Sequence, residues 1–212
     1  MSGGDRGSTP SRARGPDQAH ARALARERRA EAREPGPVMD AAARFLEARP
    51  RSVAETRRRL VHAGWPAELV ESVLDRLQEL GYLDDRVFAH AWVESRDRAH
   101  PRGESALRRE LALKGVPADT IAEVLLQRRA DAQAAPGMAT PDSAAPDVAA
   151  AARVLERRGA ALLREPDAQR RRTKAYALLA RHGFDPETCR TAVTAWIADL
   201  DDDPGTGEGE AS

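Results

Sequence analysis

GYLDDRVFAHAWVESRDRAHPRGESALRRELALKGV, residues Gly81 to Val116, is the stretch that decides the fold. Gly81 stops one helix, and Asp84 or Asp85 starts the next by capping its free N–H groups and complementing its dipole. That second helix carries an apolar stripe predicted at Val87, Phe88, Ala91 and Trp92. A turn at Pro101-Arg102-Gly103 follows, and a third helix ends at Lys114-Gly115. Ala, Leu, Arg and Glu dominate the surrounding chain and aromatics make up only 4%, a composition of helix formers with few strand candidates. The expected class is therefore all-α.

The unit is copied on both sides. Placing Leu60 on Leu111 aligns Gly64 with Gly115, Trp65 with Val116 and Pro66 with Pro117, and puts Val70, Val73 and Leu74 on Ile121, Val124 and Leu125. Moving on to Leu179 matches Gly183, Phe184, Asp185, Cys189, Ala192 and Val193. Such self-similarity is the mark of tandem helical units. The leucine anchors the last turn of one helix, and the glycine takes a left-handed C′ conformation. The next residue then folds back as an apolar contact, and Pro or Asp opens the following helix. Helices this short are marginal alone, so packing between them must stabilise them.

These signals divide the chain into residues 38–81, 82–130 and 148–200, each a three-helix repeat. In the first, Ala43, Phe45 and Leu46 mark a short helix ended by Pro50. Ser52 and Glu55 form a capping-box pattern ahead of Val53, Thr56 and Leu60. Leu69, Val70, Val73, Leu74, Leu77 and Leu80 should face the core of its last helix. The third repeat opens with Ala151, Ala152 and Leu155 and closes on Trp196, Ile197 and Leu200. Residues 131–147, Ala- and Pro-rich, read as a linker. Residues 1–37 read as a disordered Arg-rich extension, transiently helical at Ala19–Glu34, and 201–212 as an acidic disordered tail. The extension leaves open an electrostatic arm toward nucleic acid.

Lys and Arg together number 34, as do Asp and Glu, so net charge is zero and polyanion binding has no support from bulk charge. No apolar run is long enough to span a bilayer, and the N-terminus lacks a signal-peptide core; a soluble cytoplasmic protein is expected. Cys189 is the lone cysteine, stands where the repeat wants a core aliphatic, and reads as a buried structural thiol. The histidines are scattered without metal-ligand spacing, and no phosphate-cradling glycine motif occurs. No catalytic residue, metal or cofactor is expected.

The arginines carry the remaining signal. Arg57 and Arg108 share one repeat position, three before the common leucine, and Arg58 and Arg109 share the next. The latter pair points away from the apolar stripe, while the former flanks it. Tyr176 and Ala177 break the pattern in the third repeat, and Arg86, Arg96, Arg98 and Arg102 add charge around the turn. Two readings stay open: a solvated face with ion pairs to Glu55 and Glu110, or an Arg-lined surface that meets phosphates or an acidic protein.

Three motifs together resemble the RecX family, bacterial regulators of the RecA recombinase. They are S-x-x-E…L-x-x-x-G (Ser52, Glu55, Leu60, Gly64), L-x-x-L-G-Y-L-D-D-x-x-F-A (Leu77 to Ala89) and R-x-x-P-R-G…R-E-L-x-x-K-G-V (Arg98 to Val116). The resemblance implies an elongated, curved array of three tandem three-helix repeats with disordered termini. It also implies a non-enzymatic regulator that binds along the groove of RecA–DNA filaments and tempers strand exchange, ATP hydrolysis and the SOS response in DNA repair. The family motif covers Asp85, Phe88, Arg98, Gly103, Glu110, Leu111, Lys114 and Gly115; Phe88, Leu111 and Gly115 are structural. The contact candidates are Arg57, Arg58, Arg98, Arg102, Arg108, Arg109 and Lys114. RecA filaments are the expected partner of a monomer, with auxiliary contact to single-stranded or duplex DNA. A helical-repeat nucleic-acid binder acting without RecA is the alternative. The linker after Arg129 and the N-terminal extension depart from the family pattern, and no role transfers onto the extension.

Overall fold

A computed structural model describes residues 16–134 and 146–201. Its regular elements are all helices: α1 (Pro16–Ala30), α2 (Gly36–Glu47), α3 (Val53–His62), α4 (Ala67–Glu79), α5 (Asp85–Ala99), α6 (Glu104–Lys114), α7 (Ala118–Ala134), α8 (Pro146–Leu162), α9 (Ala168–Arg181) and α10 (Pro186–Asp201). The described residues fall into two compact units, residues 16–49 with 56–82 and residues 50–55 with 83–134 and 146–201. The acidic tail from residue 202 and most of the expected linker lie outside the described residues.

The repeated glycines do what their spacing predicts. Gly64, Gly115 and Gly183 have φ of 98°, 82° and 84°, a left-handed conformation that costs an L side chain roughly 1–2 kcal/mol. The N–H of the following residue then returns to the anchoring leucine carbonyl: Trp65 to Leu60 (3.3 Å), Val116 to Leu111 (3.1 Å) and Phe184 to Leu179 (3.3 Å). This is the Schellman closure of a helix C-terminus. Gly81 closes α4 the same way, with φ 74° and Tyr82 N–H on the Leu77 carbonyl at 2.9 Å.

In the first unit, Val38 and Ala42 of α2, Leu60 of α3, and Val70, Val73, Leu74 and Leu77 of α4 are buried. Leu80, expected in that core, is instead 49% exposed, because α4 has already ended at Glu79 and the chain is turning. Ala43 is also exposed, while Phe45 and Leu46 are half-buried. Within the N-terminal extension, where Ala19–Glu34 reads as transiently helical, residues Pro16–Ala30 form α1. Helix α1 lies against the α3–α4 turn, where Arg29 Nη1 donates to the Ala63 carbonyl at 3.1 Å and its guanidinium sits 5.7 Å from the centre of the Trp65 ring. Ala, Arg and Glu favour the helix intrinsically, and this contact supplies what an isolated segment lacks.

In the second unit one core joins Phe88, Ala89 and Val93 of α5 to Leu107 and Leu111 of α6, to Val116, and to Ile121, Val124 and Leu125 of α7. Full burial of each large aliphatic contributes about 1.5–3 kcal/mol. The α5 stripe is thus Phe88, Ala89, Trp92 and Val93. Val87, read as part of it, is 65% exposed, and Ala91 is exposed too. A second core gathers Ala150, Ala151, Val154, Leu155 and Leu162 of α8, Ala175 and Leu179 of α9, Phe184, and Cys189, Ala192 and Val193 of α10. The Cys189 thiol points at the Phe184 carbonyl (3.7 Å), and burial pushes its pKa up, as suits a packing residue.

Two polar junctions tie successive helices together within this unit. In segment Pro50–Glu55, Ser52 and Glu55 form the expected reciprocal box, Glu55 N–H to Ser52 Oγ at 3.0 Å and Ser52 N–H to Glu55 Oε2 at 3.4 Å. Ser52 Oγ also donates to the Lys114 carbonyl (2.7 Å), and Asp85 Oδ1 accepts from Val53 N–H (2.9 Å). At the second junction Asp147 Oδ2 accepts from Glu104 N–H (2.8 Å), Ser105 Oγ donates to the Gly183 carbonyl (2.6 Å), and Gly103 N–H donates to the His182 carbonyl (3.1 Å). Arg128, only 7% exposed, binds Asp97 through Nε and Nη2 (both 2.8 Å) and Asp147 through Nη1 (2.6 Å). Helix α7 runs on to Ala134 and α8 begins at Pro146, so both ends of the segment read as a linker are helical, and Asp147 within it is buried.

Candidate partner-binding surface

The predicted contact residues differ in their surroundings. In the first unit, Arg57 forks onto Glu71, Nε to Oε1 at 2.7 Å and Nη2 to Oε2 at 2.8 Å. That fork holds the Glu71 carboxyl below its ordinary pKa, against a small opposing effect of desolvation. Arg58, the next residue on α3, is exposed.

In the second unit, Arg108 pairs with Glu104 one helical turn back (2.7 Å), and Arg98 pairs with Glu94 in the same way. The Arg98 pair is 72% exposed on both sides, a setting in which an ion pair contributes little and is easily exchanged for another anion. Arg109 is exposed and has no ion-pair partner among the described residues. It occupies the repeat position of Arg58, so the register places an outward guanidinium on the middle helix of both repeats.

Around Trp92 the structure assembles something the spacing did not announce. Trp92 Nε1 donates to Glu110 Oε2 (3.0 Å), Arg96 Nε donates to the same oxygen (2.7 Å), and Arg102 Nε lies 3.7 Å from Glu110 Oε1. The Arg96 guanidinium sits 4.5 Å and the Lys114 ammonium 4.8 Å from the Trp92 ring centre. Lys114 is also held by Glu55 at 2.8 Å. One indole thus meets two cations, and partial burial strengthens both contacts. Glu55 and Glu110, expected as intrahelical partners for the arginine pairs, serve this cluster. Trp92 read only as a core residue; the missed signal was Arg96, one turn further along the same face.

A second basic region went unread. Helix α9 contains Arg170, Arg171, Arg172, Lys174 and Arg181 and no acidic residue. Arg170, Lys174 and Arg181 share its outer face, opposite buried Ala175 and Leu179. The basic run begins nine residues before Leu179, whereas the earlier pairs lie two and three before their leucine, so alignment on the leucine concealed it.

Comparison with known proteins agrees with this architecture. Residues 39–77 match the first three-helix domain of RecX, and residues 84–125 the second. The regulatory protein RecX of Prosthecochloris aestuarii is 34% identical over 153 residues, which cover 70% of this chain and 86% of that protein. The chain belongs to the RecX family. The RecX of Mycobacterium avium is 47% identical over 83 residues, but there the match spans 39% of this chain and 47% of the relative. The crystal structure of RecX from Lactobacillus salivarius shares the fold, with a TM-score of 0.62, 16% identity, and coverage of 79% of this chain and 96% of that one. As a RecX family member the chain is a regulatory protein by name. Both matched domains contain the outward arginine, Arg58 in the first and Arg109 in the second. Among the described residues no helix is long and apolar enough to cross a membrane.

Proposed function

We propose that this RecX family chain is a cytoplasmic, non-enzymatic regulator that binds RecA–DNA filaments as a monomer. In that role it restrains recombinase and ATPase activity in DNA repair and the SOS response. The observation that carries the reading is Arg109, an outward guanidinium without an ion-pair partner among the described residues. It lies in the matched second domain beside an ordered Trp92 cluster. An arginine in that state can fork onto a carboxylate or phosphate with no internal bond to break first. In the second unit Arg98, Arg102, Arg108 and Lys114 extend the contact surface, and in the first unit Arg58 is a further contact candidate. Arg57, already forked onto Glu71, contributes least.

The test is RecA's DNA-dependent ATPase with substoichiometric amounts of the chain. Arg58→Ala combined with Arg109→Ala should weaken inhibition about ten-fold or more, the loss of one charged hydrogen bond at ~1.5–3 kcal/mol, with helicity and melting unchanged. Equal inhibition by the double variant would remove both residues from the surface. The basic face of α9 favours a second reading, nucleic-acid binding without RecA. In that case binding to single-stranded DNA should fall steeply with salt, with a slope near −0.7 per phosphate contacted. A flat salt dependence would reject it.

A further inference from the structure

Inside the second unit, the carbonyl just before a C′ glycine is always taken by the helix-start segment of the preceding repeat. Ser52 takes that of Lys114, and Gly103 takes that of His182, with Ser105 on Gly183 one residue later. The approach is close: a Cβ on Gly103 would stand 2.2 Å from the Gly183 carbonyl oxygen, and one on Gly183 would stand 2.5 Å from Ala106 Cβ. In the first unit the equivalent carbonyl is Ala63, before Gly64. There the donor comes from α1, whose Arg29 donates to it at 3.1 Å. A Cβ on Gly64 would meet Arg26 Cγ at 2.5 Å and the Arg26 carbonyl oxygen at 3.2 Å.

The other end of the repeat series shows the complementary solution. Helices α3 and α6 receive at their first N–H groups a carboxylate from the next repeat, Asp85 and Asp147. Helix α9 is capped instead by its own Asp167, which accepts from Arg170 N–H at 2.6 Å.

We propose that α1 is an N-terminal cap that occupies the coupling edge Ala63–Trp65 of the first repeat in place of a preceding repeat. It thereby keeps that edge from coupling to a second copy of this chain. Stacked repeats share burial with their neighbours, and a terminal repeat without a cap presents a surface shaped for another repeat.

The experiment uses the full-length chain. Ala25→Pro breaks α1 at its middle, while Arg29→Ala keeps the helix and removes only the carbonyl bond and the ring contact. Hydrogen exchange is followed at the Gly64, Trp65 and Val70 amides, with sedimentation over a range of concentrations. Ala25→Pro should speed exchange at those amides by about ten-fold or more, as for a segment moved toward local opening, and should produce concentration-dependent association. Arg29→Ala should shift both readouts in the same direction by less. Exchange at the wild-type rate in both variants, or a variant that stays monomeric throughout, would overturn the proposal.

Discussion

At one junction of the second unit, Asp85 caps α3 and Ser52 holds the Lys114 carbonyl. At the other, Asp147 caps α6 and Ser105 holds the Gly183 carbonyl. The backbone device is the same, a carboxylate from the following repeat on a helix N-terminus and a serine on a glycine turn. The electrostatics differ. Asp85 is only half-buried, whereas Asp147 is 8% exposed and carries Arg128 with it into the interior. Burial pushes the Asp147 carboxyl above its ordinary range even though the Glu104 N–H and Arg128 both favour its charged form. The two aspartates hold the Arg128 proton more tightly than usual, overcoming the desolvation that opposes them. A junction can thus use exposed caps at little electrostatic cost, or buried ones if a counter-charge comes too. The second choice fixes one geometry more than it adds stability.

The largest effect should come from breaking that counter-charge. Arg128→Ala leaves Asp97 and Asp147 without their counter-charge and should lower stability by about 3–5 kcal/mol, read from chemical denaturation. Asp147→Asn retains an acceptor for the Glu104 N–H and removes a carboxylate that is costly to bury, so it should cost much less. Because the folded-state pKa of Asp147 lies above its unfolded value, the stability it lends is complete below the ordinary carboxylate range. That stability declines as pH rises through the folded value, and Asp147→Asn should flatten the decline. Equal losses in the two variants would show that the junction does not depend on charge.

Next in size are two glycine substitutions that separate steric closeness from backbone conformation. Gly103 has an ordinary φ of −71° but no room, its added Cβ lying 2.2 Å from the Gly183 carbonyl oxygen. Gly81 has the left-handed φ of 74° but nothing within 4 Å of an added Cβ. Gly103→Ala should cost about 1–3 kcal/mol by overpacking and loosen α8–α10 in hydrogen exchange. Gly81→Ala should cost about 1 kcal/mol through φ alone, with no change at the second junction. If Gly103→Ala were silent, the close approach of the two turns would not exist in solution.

What could be read from the sequence follows the range of the interaction that decides each feature. The glycine turns, the Ser52–Glu55 box and the cores built on Leu60, Leu111 and Leu179 rest on contacts within a few residues, and spacing encodes those directly. Arg57 was visible as a flanking residue, but its partner Glu71 lies beyond the turn. Arg128 meets aspartates 31 residues before it and 19 after it, and nothing in a local window selects them. Val87 shows the same limit at small scale, since a helix wheel admits it to the stripe and only the position of α7 decides that Val93 is buried instead. On the candidate surface, the outward direction of Arg58 and Arg109 was legible from register. The Trp92 cluster was not, because Glu55 and Lys114 come from different helices.

The smallest contrast sets the two serines against each other. Ser52 is fully buried and works twice, accepting the Glu55 N–H and donating to the Lys114 carbonyl. Ser105 is exposed and donates once, to the Gly183 carbonyl, while its helix is already capped from outside by Asp147. Ser52→Ala removes a helix cap and the donor to the Lys114 carbonyl at a fully buried side chain, and should cost about 2 kcal/mol. Ser105→Ala removes a single bond from an exposed side chain and leaves the cap in place, and should cost about 0.5–1 kcal/mol. Denaturant midpoints of the two single variants decide the order. A larger loss for Ser105 would mean that the second junction is held by its turn-to-turn contact, with the buried Arg128 cluster secondary. The ranking of Arg128→Ala above Gly103→Ala would then reverse as well.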